Sequence, residues 1–193
     1  MKEKEEIASF TPSGRKQWRN WLQKNHVKKE SVWLICYKKV SDKPSIPWSD
    51  LVDEALCFGW IDSKRQTIDP EKFRQLFTKR KANGTWSKIN KDKIDRLMAE
   101  GLMTKAGLAV MEAAKKNGSW TMLDQVETLE IPKDLLKAFK AHPGSKTFFL
   151  SLSNSVRKAM LQWLAFAKRE ETREKRIHEI AKLAAEQQKP KQF

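Results

Sequence analysis

Cysteine is scarce in this 193-residue sequence, which holds only Cys36 and Cys57. Two thiols are too few for a disulfide scaffold and fit a reducing compartment. Long apolar runs are also missing: no stretch approaches the roughly 20 residues needed to cross a bilayer. The opening MKEKEEIASF has lysines but no apolar segment behind them, so we expect a soluble, cytoplasmic chain without an export signal or transmembrane segment. The three histidines, His26, His142 and His178, have neither metal nor general-base spacing. Phosphate-loop, dinucleotide, serine-hydrolase, CxxC and HExxH patterns are absent. No catalytic residue, no metal site and no cofactor is therefore expected.

Acidic residues are the minority charge, 24 against 39 basic ones, for a formal net charge of +15. That balance favours an anionic partner: an acidic protein, a nucleic acid or an anionic lipid surface. Eight Trp, nine Phe and a hydrophobic fraction of 39% point to a folded chain, long enough for one large or two small domains.

Turn and capping signals divide it. Thr11-Pro12 reads as a helix start. SVWLICYKK, apolar on both faces, reads as a central strand. Ser49 opens a second helix that Gly59 ends. WIDSKRQTI and FRQLFTKR flank DPEK as a hairpin, with Pro70 and Glu71 central in the turn. Ser87 and Thr104 cap two further helices, and Trp120 to Glu130 is irregular. Beyond it every segment has helical period, including a helix opened by Pro132, one capped by Ser153, and a last one from about Glu170 to Glu186 that stripes Ile177, Ile180, Ala181 and Ala184. QQKPKQF reads as a frayed tail. The fold class is α+β: a small, mainly antiparallel sheet packed by helices over residues 1–119, then an all-helical domain over residues 120–193.

EALCFGWIDSKRQTID joins a thiol, a carboxylate and two cations. On a helical wheel Cys57 falls with Asp50, Asp53 and Glu54, outside the arc of Leu51, Val52, Ala55, Leu56 and Phe58. Carboxylates at i−4 and i−3 and the negative helix end raise a thiol's pKa, so Cys57 reads as structural. A two-residue hairpin loop would pair Lys64 with Phe77 and Asp62 with Lys79, leaving Arg65 beside Leu76 on the other face. Asp62, Lys64 and Arg65 remain a candidate cleft.

From Lys72 to Lys91 there are seven basic residues and no acidic one. Lys79, Arg80, Lys81, Trp86, Ser87 and Lys88 are candidate anion-binding residues: cations, a helix N-terminus for a phosphate, and an aromatic to stack a base. The bland alternative packs Trp86 into the core. Arg169, Arg173 and Arg176 form a row at i, i+4, i+7 that either clamps an anion or neutralises Asp50, Asp53 or Glu54. Glu171 and Lys175 are a favourable i, i+4 pair.

Together with FRQLFTKRKANGTWSKINKDKIDRLMAEGLMTKAGLAVMEAAKKNGSW and AKREETREKRIHEIAKLA, that opening segment resembles the YdeI/OmpD-associated, or bacteriocin-protection, family, from about Phe10 to Ala185. Ile131 to Leu183 looks like its small C-terminal helical domain. The resemblance implies protection against bacteriocin-type or cationic stress and association with an outer-membrane porin, and implies no catalytic residue. The leading expectation is a non-enzymatic stress-resistance protein that binds an anionic partner through a basic surface. The alternatives are sequence-independent nucleic-acid binding and an enzyme acting on a small anionic substrate.

Overall fold

The computed structural model describes residues 7–193. These form two compact units, residues up to Gly84 with Ile89–Trp120, and Thr85–Lys88 with Thr121–Phe193. No helix is long and apolar enough to cross a membrane among the described residues.

The first unit is α+β, as the patterning implies. Strands β1 (Ser9–Phe10), β2 (Ser31–Tyr37), β3 (Trp60–Thr67) and β4 (Lys72–Lys79) form one sheet in the order β1-β2-β4-β3. β1 runs parallel to β2, and the other two pairings are antiparallel. β2 is therefore paired on both sides, which suits its apolar run. Helices α1 (Arg15–Asn25), α2 (Trp48–Cys57), α3 (Lys88–Ala99) and α4 (Lys105–Lys116) complete the unit. Trp18 of α1 packs 5.3 Å from the Phe77 ring of β4 and donates its indole N–H to the Leu51 carbonyl of α2 at 3.0 Å.

Every residue from Leu51 to Trp60 is buried. The polar arc of α2 is covered by cations from two other helices. Glu54 is 3% exposed and accepts from Arg15 at 2.5 Å and Arg19 at 2.7 Å. Asp53, equally buried, accepts from Lys93 at 2.5 Å and pairs with Arg96. The end of α2 then meets α4 at close range. The backbone N–H and hydroxyl of Thr104 both donate to the Cys57 carbonyl, at 3.1 and 2.6 Å. A Cβ on Gly107 would lie 2.3 Å from that same oxygen, so only glycine admits this approach. Gly59 turns the chain with φ +73°, a left-handed conformation that glycine adopts without strain.

Local signals elsewhere differ from expectation. α1 begins at Arg15 behind Gly14, with Pro12 buried ahead of it. α2 begins at Trp48 behind Pro47, and the Ser49 hydroxyl instead accepts from Lys93 at 2.6 Å. The hairpin carries a β-bulge between Asp62 and Arg65, so Asp62 lies opposite Phe77, Arg65 opposite Gln75, and Trp60 opposite Lys79. The Asp62–Lys79 and Lys64–Phe77 pairs do not form. At the turn, Asp69 Oδ1 accepts from the backbone N–H groups of Glu71 and Lys72 at 2.8 and 2.7 Å, an Asx arrangement.

The second unit is helical: α5 (Asp124–Glu127), α6 (Lys133–Ala141), α7 (Ser145–Ser151), α8 (Asn154–Ala165) and α9 (Glu170–Ala185). α5 lies in a stretch that reads as irregular. Ile177, Ile180, Ala181 and Ala184 are all buried on α9, as their spacing implies, in a core with Leu135, Phe149 and Leu164. The tail is not frayed: Pro190 is buried and the Phe193 ring lies 5.7 Å from Trp163.

A buried carboxylate left without its cations is strongly destabilising. Arg15→Met with Arg19→Met strands Glu54, and chemical denaturation should show a loss of about 3–5 kcal/mol. Adding Glu54→Leu should restore most of it.

Candidate functional site

The Arg row of α9 braces its own unit. Arg173 makes a two-pronged contact to Asp134, at 2.6 and 3.1 Å, and donates to the Leu164 carbonyl at 3.1 Å. Arg176 donates to the Trp163 carbonyl and lies 4.8 Å over that indole ring. Arg169 is exposed at the start of the helix. Glu171 and Lys175 pair at 2.7 Å, as their spacing implies. Asp53 and Glu54 take their cations from α1 and α3, so the expectation that this row neutralises them is corrected.

The basic run after β4 is similarly engaged. Lys79 donates to Glu30 at 2.6 Å and to the Val27 carbonyl at 2.9 Å. Trp86 is only 2% exposed, which removes it from any stacking surface. The Lys88 backbone N–H, just after Ser87, donates to Glu127 at 3.4 Å, and the other Glu127 oxygen pairs with Lys158. A carboxylate of the chain thus occupies the place proposed for a phosphate. The turn at Ala82 to Gly84 is tied down by Asn117, whose amide donates to the Ala82 carbonyl at 2.8 Å. Lys81 is exposed beside it.

A different cluster forms where β2, α2 and the hairpin meet. A cleft of about 540 Å³ is lined by Tyr37, Lys38, Lys39, Trp48, Arg65 and Phe73, with Ile46, Pro47 and Leu51 as apolar wall. No carboxylate lines it among the described residues. The β-bulge creates this placement. Inserting one residue switches the face on which a strand presents its side chains. Arg65 leaves the Leu76 side and comes to rest 3.7 Å over the Phe73 ring, while Lys64 stays exposed on the bulge. Lys38 donates to the Asp69 carbonyl at 2.7 Å, and Lys43 and Lys72 lie over Tyr37. Trp48 is 50% exposed.

Asp62 sits beside this cleft. Burial pushes its carboxyl up, opposed by its own backbone N–H, by hydrogen bonding from Trp48 and by the Arg80 charge. Burial also lowers the Arg80 guanidinium to about 10, with Asp62 acting the other way. Of the candidate cleft residues, Arg65 alone is among the residues lining this cleft; Asp62 and Lys64 are not. Sequence reasoning missed Tyr37, Lys38, Lys39 and Trp48; the one local cue was Trp48 in a Pro-flanked loop.

Neither thiol competes as a reactive group. Burial pushes Cys36 up to about 11, against the Arg65 charge. It also raises Cys57, with Glu54 adding to the rise and Arg19 opposing it.

Asp134 gives a pH signature. Burial pulls its carboxyl up, but hydrogen bonds from Arg173 and the Leu135 N–H, together with the Arg173 charge, hold it below the ordinary range. A depressed folded pKa stabilises fully above the unfolded value, about 3.9, and the contribution fades as pH falls through the lower folded value. Asp134→Asn should therefore destabilise by roughly 1 kcal/mol at pH 7, the pair being part-exposed. Thermal melts of the two proteins should converge as the pH falls from the unfolded value through the lower folded one.

Comparison with known proteins divides the chain in the same region. Residues 10–110 match the model described as Domain of unknown function (DUF8412). Residues 128–187 match Bacteriocin-protection, YdeI or OmpD-Associated, so the resemblance read from Phe10 onward is carried by this shorter span. No curated protein and no solved structure matches. With more than half its length under the first model, the chain belongs to the DUF8412 family and carries a YdeI/OmpD-associated, bacteriocin-protection domain at residues 128–187.

Proposed function

We propose that this protein is a non-enzymatic stress-resistance protein of the bacteriocin-protection type that acts by holding an anionic partner, and that the holding site is the cationic, aromatic cleft of the first unit. The observation that carries this reading is the lining itself: Lys38, Lys39 and Arg65 around Tyr37, Trp48 and Phe73, with no acidic side chain among them. A concave, mainly apolar site with a few converging charged groups is the usual form of a ligand pocket. Arg65 supports the reading further. Its side chain has no hydrogen bond or ion pair among the described residues, and its guanidinium lies 3.7 Å over the Phe73 ring. A guanidinium held by stacking keeps its forked donors directed outward for a carboxylate or phosphate.

The remaining basic surface contributes mostly elsewhere. Lys79 and Lys158 are paired with Glu30 and Glu127, and Arg173 and Arg176 brace the second unit. Lys81 and Arg169 are exposed and add to the long-range field that draws anions in, a contribution salt screens over about 8–10 Å.

Titration with inorganic pyrophosphate, followed by tryptophan fluorescence at about 50 mM salt, tests this. Saturable binding is expected, weakened roughly tenfold or more in Lys38→Ala/Lys39→Ala/Arg65→Ala. Lys64→Ala/Lys81→Ala should bind as the parent does. Binding that survives the first triple variant, or is lost in the second, overturns the assignment of the cleft.

A further inference from the structure

The cleft pairs its cations with an aromatic surface that a bare anion would not use. Three tryptophans of the first unit, Trp18, Trp33 and Trp60, are buried at 0%, 8% and 1% exposure. Trp48, at the first position of α2, keeps half its surface in solvent. Leaving a large ring half wet forgoes much of the hydrophobic gain that burial would give it. Its backbone is nevertheless fixed: Trp48 follows Pro47 and opens α2, and the side chain lies near Asp62, which also senses Arg80. A rigid, accessible ring face is pre-organised for stacking, because little side-chain entropy is lost when a partner lies on it.

The groups around it specify the partner's chemistry. Arg65 over Phe73, with Lys38 and Lys39, offers a positive zone; Ile46, Pro47 and Leu51 close the apolar side. The positive end of the α2 dipole adds to that zone. The volume, about 540 Å³, lies within the range typical of small-molecule sites, roughly 300–1,000 Å³. We propose that the cleft takes a free nucleoside phosphate, with its phosphate on Lys38, Lys39 and Arg65 and its base stacked on Trp48. This deepens the anion-binding reading and rests on it. Aromatic stacking accepts any base, since each has a π face. The Ser45 hydroxyl is committed to the Tyr37 carbonyl at 2.8 Å. The site should therefore tolerate different bases, with purines ahead through their larger area.

Isothermal titration of the full chain with ADP, UDP, adenosine, inorganic pyrophosphate and an eight-nucleotide single-stranded RNA tests the inference. ADP should bind at least tenfold more tightly than pyrophosphate, with adenosine far weaker than either. Trp48→Ala should weaken ADP roughly tenfold or more and pyrophosphate far less, as stacking contributes on that scale. Trp48→Phe should restore part of the loss. Circular dichroism of the half-exposed Trp48 variants confirms that they fold. Equal affinity for ADP and pyrophosphate, untouched by Trp48→Ala, overturns the nucleoside inference while the anion reading stands. Binding of none of these ligands overturns both. RNA far tighter than ADP, with a salt dependence that steepens with length, makes the occupant a nucleic acid and also overturns the inference.

Discussion

Two adjacent carboxylates, Asp53 and Glu54, sit buried in the middle of the first unit, and the arrangement of its helices follows from neutralising them. An ionised carboxylate removed from water is destabilised by several kcal/mol unless cations and hydrogen bonds replace its hydration. α1 supplies Arg15 and Arg19 to one, and α3 supplies Lys93 and Arg96 to the other. From Leu51 onward α2 can therefore be buried on every side although it carries both carboxylates. A fourth helix closes the assembly through the glycine contact at Gly107, where backbone approaches backbone.

That constraint changes what the net charge of +15 means. Part of the positive charge is structural. Arg15, Arg19, Lys93 and Arg96 neutralise interior acids, Arg173 and Arg176 lock α9 to α6 and α8, and Lys79 closes on Glu30. Counting cations along the sequence gives the strongest weight to the run from Lys72 to Lys91, yet several of its members have partners within the fold. The cations that converge on a concave surface, Lys38, Lys39 and Arg65, come from segments with little local charge excess. Charge density along a chain and charge focused in space are different quantities.

The same distinction explains which features were legible. The central strand, the Gly59 helix stop, the Thr104 and Ser153 caps and the apolar stripe of α9 all rest on local periodicity or a single capping hydrogen bond, and the structure contains each. The bulge between Asp62 and Arg65 leaves no mark in the alternation of WIDSKRQTI, because its polar residues fit either face. It nevertheless decides that Arg65, and not Lys64, reaches the cleft. Trp86 beside a helix start is equally compatible with a buried anchor and an exposed ring, and burial is set by residues distant in sequence. The cleft was illegible for the same reason: Tyr37, Trp48 and Arg65 are joined only by tertiary packing. α1 starts at Arg15 and not near Pro12 because Pro12 is buried ahead of an extended Gly14, a tertiary preference that overrides the Thr-Pro signal.

The eight tryptophans give a direct readout of the central claim, that the accessible aromatic at a cationic cleft is the ligand contact and the basic run is not. The measurement is a two-dimensional proton–nitrogen NMR spectrum of the indole N–H groups during ADP titration, with Trp48 assigned through Trp48→Phe. The account predicts a progressive, saturating shift of the Trp48 indole, with those of Trp86 and Trp163 stationary. A shift centred on Trp86 or Trp163, with Trp48 unmoved, would contradict it.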